Sequence, residues 1–195
     1  TAIEEFCRST YGIDTVAVQD LGSYIDQNIQ LTASDARKYL LKIHDGEEHE
    51  AVLHLQNEVM AHVSRKIEGI NFPKPMTSLA GKEIETLHDV EGHRHYVRLL
   101  RFVHGTLLKC VTPIPFQLLQ EVGRIAGEMD AALQDFYHPA ANRPDIPWDL
   151  KNATRTGKLS KYIECPYKRR ISEYFLLQFD NNVAPILSEL RKSVV

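Results

Sequence analysis

The hydrophobic and polar positions follow two different patterns along the chain. In the first half, short apolar segments are separated by polar turns, which indicates strands. The predicted strands lie at residues 15–21, 28–31, 39–43, 76–79, 83–87 and 95–103. After Gly105, apolar residues recur every three or four positions at residues 119–136 and 171–190, which indicates two amphipathic helices. The pattern therefore predicts an α+β fold, with a β-rich half followed by a helical half.

Two further helices are predicted in the first half of the chain. Residues 2–11 form a short amphipathic segment that ends near Gly12, a residue suited to stop a helix. Residues 47–67 carry apolar side chains at helical spacing and form a longer helix. In the final helical segment, Pro185 is expected to cause a kink, because proline cannot donate a helical hydrogen bond. The first half is thus a small antiparallel sheet with one inserted helix.

Composition excludes several classes of protein. The chain has 195 residues, 43% hydrophobic residues and a formal net charge of −3, which fits a folded chain of one domain or one and a half. The charges are spread out, so no nucleic-acid partner is expected. No apolar run reaches the roughly 20 residues that cross a bilayer, so no membrane partner is expected, and residues 1–8 do not have the pattern of a signal peptide. Three distant cysteines indicate buried thiols in a reducing, cytoplasmic compartment.

A candidate phosphate site follows from the first two strands. A small polar loop opens at Gly22, and Lys42 lies in an apolar strand next to it. Backbone N–H groups of such a loop can cover phosphates, and a lysine on a neighbouring strand can reach them. Gly22, Ser23 and Asn28 are therefore candidate phosphate contacts, although an ordinary hairpin turn is an open alternative, because Asp26 repels phosphate. For Lys42 the alternative is a strand lysine whose head reaches solvent.

The order of the motifs resembles the aminoglycoside phosphotransferase-like kinase family. It is most similar to the hydroxylysine kinase-like branch, which includes phosphotransferase domains fused to class III aminotransferases. The resemblance is carried by LGSYIDQN at residues 21–28, YLLKI at 39–43, LQN at 55–57, FPKP at 72–75, VRLLRFVHG at 97–105, WDLKN at 148–152 and the final helix. Members phosphorylate a hydroxyl of a small, often amine-bearing molecule with ATP or GTP and magnesium.

The resemblance implies a protein-kinase-like architecture. Residues 1–104 would form the nucleotide-binding N-terminal lobe, and residues 105–195 an incomplete helical C-terminal lobe. ATP or GTP, with Mg²⁺ in the complete protein, would be the cofactors, and a small hydroxylated amine would be the substrate. Lys42 would bind the α- and β-phosphates, and the backbone of Arg101, Phe102 and Val103 would form the hinge that binds adenine.

The partner of Lys42 is expected on the predicted helix of residues 47–67. Glu58 is favoured for an ion pair that orients the lysine, because it carries a charge. Gln56 is an open alternative, since the two side chains lie on different faces of the helix. A solvent-exposed glutamate would have no such role.

The chain departs from the family in one respect. It contains neither His-x-Asp nor Asp-x-Asp, the patterns of the catalytic loop and the metal-binding aspartate. In the family these would follow a segment like residues 191–195. We therefore expect the chain to be the N-terminal part of a kinase, with no catalytic residue of its own and no activity alone. Further domains C-terminal to it are left open. The alternative is a non-catalytic nucleotide-binding or scaffold module with a degenerate kinase fold.

Two other groups of residues have weaker functional interpretations. His88, His93 and His95 surround a turn with Asp89 and Glu91, but turn side chains usually point apart into water, so no metal site is expected. Residues 148–152 could line an acceptor-substrate region, or Trp148 could simply anchor a loop on the core.

Overall fold

The computed structural model describes residues 1–143, 146 and 149–190. The described chain divides after Ala141 into two compact units, the first ending at Ala141 and the second beginning at Asn142. The first unit contains the sheet and three helices, and the second contains short helical segments and one long helix. The division predicted after residue 104 stays a prediction about lobes.

The first unit is built on a five-stranded antiparallel sheet. In chain order, its strands are β1 (Thr15–Asp20), β2 (Gln27–Ala33), β3 (Lys38–Ile43), β4 (Glu85–His88) and β5 (Arg94–Arg101). They pair in the order β1-β2-β3-β5-β4, so β3 lies in the centre. The predicted small antiparallel sheet with an inserted helix is confirmed.

One face of the sheet is covered by the N-terminal helix α1 (Ala2–Tyr11). A capping box between Thr1 and Glu4 begins this helix, and Gly12, at a φ of 67°, ends it. Cys7 and Tyr11 of α1 pack against alternate strand residues, among them Leu41 and Leu99. Because successive side chains of a strand point to opposite faces, the residues between them lie on the other face.

The other face is contacted by helix α2 (Glu50–Lys66), which lies between β3 and β4 in the chain. Arg98 of β5 donates a hydrogen bond to the carbonyl oxygen of Leu53 and another to the Asn57 side chain. The C-terminal end of α2 packs against the end of helix α3 (Phe116–Ala132), where Val63 and Leu133 are buried together. Helix α3 ends at Ala132, four residues before the end of the helix predicted over residues 119–136.

The strand predicted at residues 76–79 is wrong. Only an isolated bridge pairs Pro75 with Leu100, and the chain then turns. The hydroxyl oxygen of Ser78 accepts hydrogen bonds from the N–H groups of Ala80 and Lys82, which closes the turn. Local side-chain bonding of this kind competes with a β ladder, and Pro75 has no N–H to donate.

The second unit contains α4 (Ala153–Thr156) and α5 (Pro166–Asn182), with 3₁₀ segments around them. The helix predicted over residues 171–190 is interrupted. Helix α5 ends at Asn182, and a 3₁₀ segment, Ala184–Ile186, follows at the position of Pro185. The predicted kink before Pro185 is thus a break between two helical segments.

The cysteines are free thiols, but only Cys7 is buried, whereas Cys110 and Cys165 are exposed. The expectation of buried thiols is therefore wrong for the last two. Burial raises the pKa of the Cys7 thiol to about 11, which keeps it protonated. Within the described ranges, no helix is both long enough and apolar enough to cross a membrane.

Candidate functional site

Three polar residues lie side by side across the sheet, on the face opposite α1. The strand register pairs Asn28 with Lys42, and Lys42 with Arg98. Residues paired directly across antiparallel strands present their side chains to the same face. Their neighbours Ile29, Leu41 and similar residues belong to the core under α1. The polar row therefore lies on the face that α2 contacts.

Lys42 is paired with a carboxylate. Its Nζ lies 3.2 Å from Oδ2 of Asp26, and both side chains are only 23% exposed. Asp26 directly precedes β2, two residues before Asn28, so it lies on the same face as Lys42. The head of Lys42 is thus held near the loop that begins at Gly22.

His44 binds the same carboxylate from a buried position. Its Nδ1 lies 3.2 Å from Oδ2 of Asp26, and Nε of Arg98 donates a 3.1 Å hydrogen bond to its Nε2. Burial, followed by the nearby charge of Arg98, lowers the pKa of His44 to about 4, so the imidazole is neutral near pH 7. Because arginine only donates, Nε2 is the acceptor and the ring proton is on Nδ1, facing Asp26.

Arg98 is a cation with 1% exposure. Besides His44, it donates to Oδ1 of Asn57 at 2.7 Å, to the carbonyl oxygen of Leu53 at 3.3 Å, and to Oε1 of Gln56. Burial lowers the pKa of Arg98 to about 10, which still leaves it charged at neutral pH. These bonds connect β5 to α2, and they provide the acceptors that a buried charge requires.

Helix α2 turns Gln56 and Asn57 toward the sheet and Glu58 away from it. The Glu58 carboxylate lies 3.7 Å from Nε2 of His138, and its side chain is 59% exposed. The expected ion pair between Lys42 and Glu58 is not formed. Arg98 binds the side chains of Gln56 and Asn57, which therefore face the sheet. Glu58 faces away from the sheet, because each residue lies about 100° further around the helix. The contribution of Glu58 to nucleotide binding stays a prediction.

The loop between β1 and β2 is exposed and begins at a glycine with positive φ. Gly22 has a φ of 69°, and no atom lies within 4 Å of where a Cβ would stand. Its N–H donates to Oδ1 of Asp20 at 2.8 Å, and the N–H of Leu21 donates to the carbonyl oxygen of Asn28. Ser23 is exposed, whereas Oδ1 of Asn28 is buried and has no hydrogen-bond partner in the described part of the chain. Phosphate contact by these residues stays a prediction.

The predicted hinge begins at Arg101, the last residue of β5. The N–H of Arg101 donates to the carbonyl oxygen of Lys74 at 2.8 Å, and that of Phe102 donates to the carbonyl oxygen of Lys38 at 3.2 Å. Val103 is exposed. The backbone N–H groups of Arg101 and Phe102 are therefore already bonded to neighbouring segments of the chain. An adenine contact by the predicted hinge stays a prediction.

The turn between β4 and β5 brings its polar side chains together. Nδ1 of His93 and Nε2 of His95 lie 3.2 and 3.3 Å from Oδ2 of Asp89, and Glu91 Oε2 lies 3.5 Å from His93 Nδ1. The expectation that these side chains point apart is wrong, because His93 and His95 are two residues apart and share one side of the chain. The N–H of His93 also donates to Asp89, and such bonds lower the pKa of Asp89 to about 2.

The candidate acceptor region falls partly outside the described residues, because Trp148 is not among them. In the second unit, Asp149 accepts a hydrogen bond from the N–H of Lys151 and pairs with its Nζ at 2.8 Å. The amide of Asn152 donates to the carbonyl oxygen of Ile146 at 2.9 Å. These contacts organise the segment locally, and an acceptor role stays a prediction.

Sequence reasoning missed three members of the polar network: Asp26 as the ion-pair partner of Lys42, the buried His44, and Arg98. A signal for the first two was present, because Asp26 directly precedes β2 and His44 directly follows β3. Each is two residues from a strand residue of the polar row, Asn28 or Lys42, and extended backbone puts such residues on the same face. No comparable signal marked Arg98, because an arginine inside a strand is usually exposed.

The chain matches known proteins over most of its length. The phosphotransferase enzyme family matches residues 17–190. Hydroxylysine kinase of Mus musculus is 29% identical over 203 residues, covering 95% of this chain and 53% of that protein. The enzyme of the same name from Danio rerio is 29% identical over 201 residues, covering 98% and 56%. The chain thus spans about half the length of the curated relatives it matches.

Two solved structures share the fold. An amicoumacin kinase in complex with AMP-PNP, Ca²⁺ and Ami superposes with a TM-score of 0.68 at 19% identity, covering 98% of this chain and 54% of that one. A microcompartment-associated aminopropanol kinase superposes with a TM-score of 0.60 at 15% identity, covering 77% and 46%. At these identities the likeness establishes the fold alone.

Proposed function

Because the chain belongs to the phosphotransferase enzyme family, we propose that it forms the nucleotide-binding part of an ATP-dependent small-molecule phosphotransferase. The observation that carries the proposal is the position of Lys42. This lysine lies on the central strand β3, is paired with the Asp26 carboxylate, and is beside an open loop that begins with a glycine at positive φ. A cation fixed on a strand next to such a loop suits the phosphates of a nucleotide. ATP and GTP remain alternatives for the nucleotide.

The acceptor that we propose is a hydroxyl group on a small amine-bearing metabolite. The curated relatives are named hydroxylysine kinases, and one structural neighbour is named an aminopropanol kinase. Both names describe a molecule with a hydroxyl and an amine. In the proposed reaction, the acceptor oxygen forms a bond to the γ-phosphorus, the bond from that phosphorus to the β,γ-bridging oxygen breaks, ADP leaves, and the hydroxyl proton passes to a base.

The described residues fit the nucleotide better than the metal. Lys42 can donate to phosphate oxygens, and the space around Gly22 is open. Asp26 is the carboxylate that pairs with Lys42 in the described part of the chain, and its Oδ2 already contacts both Lys42 and His44. We therefore assign no Mg²⁺ ligand among these residues, and Mg²⁺ belongs to the proposal only for the complete protein. A cytoplasmic location is part of the same proposal, supported by the free, exposed thiols of Cys110 and Cys165.

The second candidate is a nucleotide-binding or scaffold module without catalysis. The two candidates share the nucleotide site and differ in phosphoryl transfer.

One pair of experiments tests the proposal. Calorimetric titration of the purified chain with MgATP and MgGTP measures nucleotide binding. Incubation of the complete gene product with MgATP and a panel of hydroxylated amines measures transfer, with a matched panel of amines without a hydroxyl as the control. Binding together with phosphorylation of the hydroxylated amines supports the phosphotransferase, whereas binding without transfer supports the module. Failure to bind either nucleotide contradicts both.

A further inference from the structure

We propose that Asp26 is the positioning residue of Lys42, so that the carboxylate which orients the nucleotide lysine comes from the first hairpin and not from helix α2. The inference rests on the proposed function, in which Lys42 contacts nucleotide phosphates. It assigns to Asp26 a role that its sequence position, in a candidate phosphate loop, would not suggest.

The first support is the geometry of the pair. Lys42 Nζ and Asp26 Oδ2 are 3.2 Å apart, and each side chain is about three-quarters buried. Partial burial strengthens an ion pair relative to one in water, because less solvent screens the charges. Asp26 and Lys42 face each other across the β2–β3 hairpin. The register of this hairpin is fixed by the pairing of β2, over residues 27–32, with β3.

The second support is that Asp26 is itself held in place. Nδ1 of His44, which carries the ring proton, lies 3.2 Å from the same carboxylate oxygen. His44 cannot rotate freely, because its Nε2 accepts a hydrogen bond from Arg98, which is bonded in turn to Asn57. The hydrogen-bonded series of Asn57, Arg98 and His44 therefore restrains the Asp26 carboxylate. Supporting contacts of this kind hold functional side chains in a fixed position.

The third support is that α2 directs the Glu58 carboxylate away from Lys42. Gln56 and Asn57 are engaged by Arg98, and Glu58 lies near His138 on an exposed face. The helix thus presents amides to the sheet, and these satisfy a buried cation. Within the part of the chain that the structure describes, the only ion pair of Lys42 is with Asp26.

The pairing leaves Lys42 able to bind phosphate. An ammonium group has three donors, so one can stay on Asp26 while the others turn toward phosphate oxygens. Because Asp26 also ends the loop that begins at Gly22, the ion pair links the position of the lysine to the end of that loop. If Asp26 only repelled phosphate, its removal would tighten nucleotide binding and leave the reaction rate unchanged.

The first test needs no nucleotide. The order of the Lys42 side chain is measured by carbon relaxation at its Cε in the wild-type chain and in Asp26→Asn, which keeps an oxygen for His44 but removes the charge. Asp35→Asn is the matched control, because it makes the same chemical change in the exposed turn at the other end of the hairpin. We expect Lys42 to become as mobile as exposed lysines in Asp26→Asn and to stay ordered in Asp35→Asn. Unchanged order in Asp26→Asn, or loss of order in Glu58→Gln instead, overturns the inference.

The second test separates positioning from a merely structural pair. In the complete gene product, Asp26→Asn should lower kcat at saturating ATP by about tenfold or more, with KM for ATP changed less than about threefold, because misplaced groups reduce the rate of the bound complex. Tighter ATP binding with unchanged kcat overturns positioning in favour of simple repulsion. If the wild-type chain binds no MgATP while Asp26→Asn still frees Lys42, the proposed function fails and the pairing is upheld.

Discussion

The guanidinium of Arg98 donates a 2.7 Å hydrogen bond to Oδ1 of Asn57, both side chains being at least 96% buried. Asn57→Ala removes this acceptor and leaves a buried cation with one partner fewer. We expect the free energy of unfolding to fall by about 2 kcal/mol or more, as for hydrogen bonds to charged groups. Urea denaturation measures the change, and Asn71→Ala, in an exposed loop, is the control with an expected change within about 0.5 kcal/mol. Equal stability of the two variants would show that Arg98 finds another acceptor.

The neighbouring helix residues should differ in their effect on stability. Gln56→Ala removes a second acceptor of Arg98, so the urea midpoint should fall clearly. Glu58→Gln removes a carboxylate that is 59% exposed, where ion pairs contribute about 0–1 kcal/mol, so the midpoint should change little. The reverse order would mean that α2 is rotated relative to the sheet. The nucleotide role predicted for Glu58 is separate: if it is correct, Glu58→Gln weakens MgATP binding while stability is kept.

The buried His44 should make the protein less stable in mild acid. Its pKa falls from 6.5 to about 4 on folding, so the unfolded chain binds more protons between these values. The contribution of His44 to the free energy of unfolding is therefore fully present above pH 6.5. It is lost as the pH falls toward 4, by an amount on the order of 3 kcal/mol. His95, whose pKa is raised by its bonds to the carbonyl of His44 and to Asp89, acts in the opposite direction above pH 6.5.

Two measurements check the pH dependence. NMR titration should show the His44 ring still neutral at pH 5, below the ordinary pKa of a histidine. Unfolding free energies from pH 4 to 6.5 should rise less steeply in His44→Gln, which cannot titrate. Ordinary titration of His44 near pH 6.5 would contradict the buried bond to Arg98.

The elements of the first unit were predictable because alternation and helical spacing are local properties. Helix α1 and the five strands follow from them, as does the turn at Asp89. The wrong strand at residues 76–79 reflects Ser78, whose hydroxyl closes a turn that periodicity does not reveal. The partner of Lys42 was not predictable from the helix alone. Which face of α2 meets the sheet depends on the buried Arg98, a contact between residues 41 positions apart.

An apolar stripe on α5 predicts self-association of the purified chain. The stripe consists of four exposed residues at helical spacing: Tyr167, Ile171, Tyr174 and Phe175. Exposed apolar surface of this kind favours association. Phe175→Gln should increase the monomer fraction in sedimentation velocity without lowering the melting temperature, whereas Lys168→Gln, an exposed polar change on the same helix, should not. A monomeric wild-type chain at all concentrations would contradict this prediction.

The central claim is that Lys42 binds nucleotide phosphates, and the affinity of the purified chain for MgATP tests it most directly. Lys42→Met removes the charge and keeps much of the volume, so stability should change by less than about 1.5 kcal/mol. Lys38→Met is the matched control, because it lies four residues earlier on the same face of β3.

Titration calorimetry of the three proteins should give a dissociation constant at least about tenfold higher for Lys42→Met, as expected for loss of a charge-assisted hydrogen bond. The constant for Lys38→Met should stay within about twofold of wild type, since 0.4 kcal/mol corresponds to about that factor. Equal affinity of Lys42→Met and wild type would contradict the nucleotide site that is proposed here.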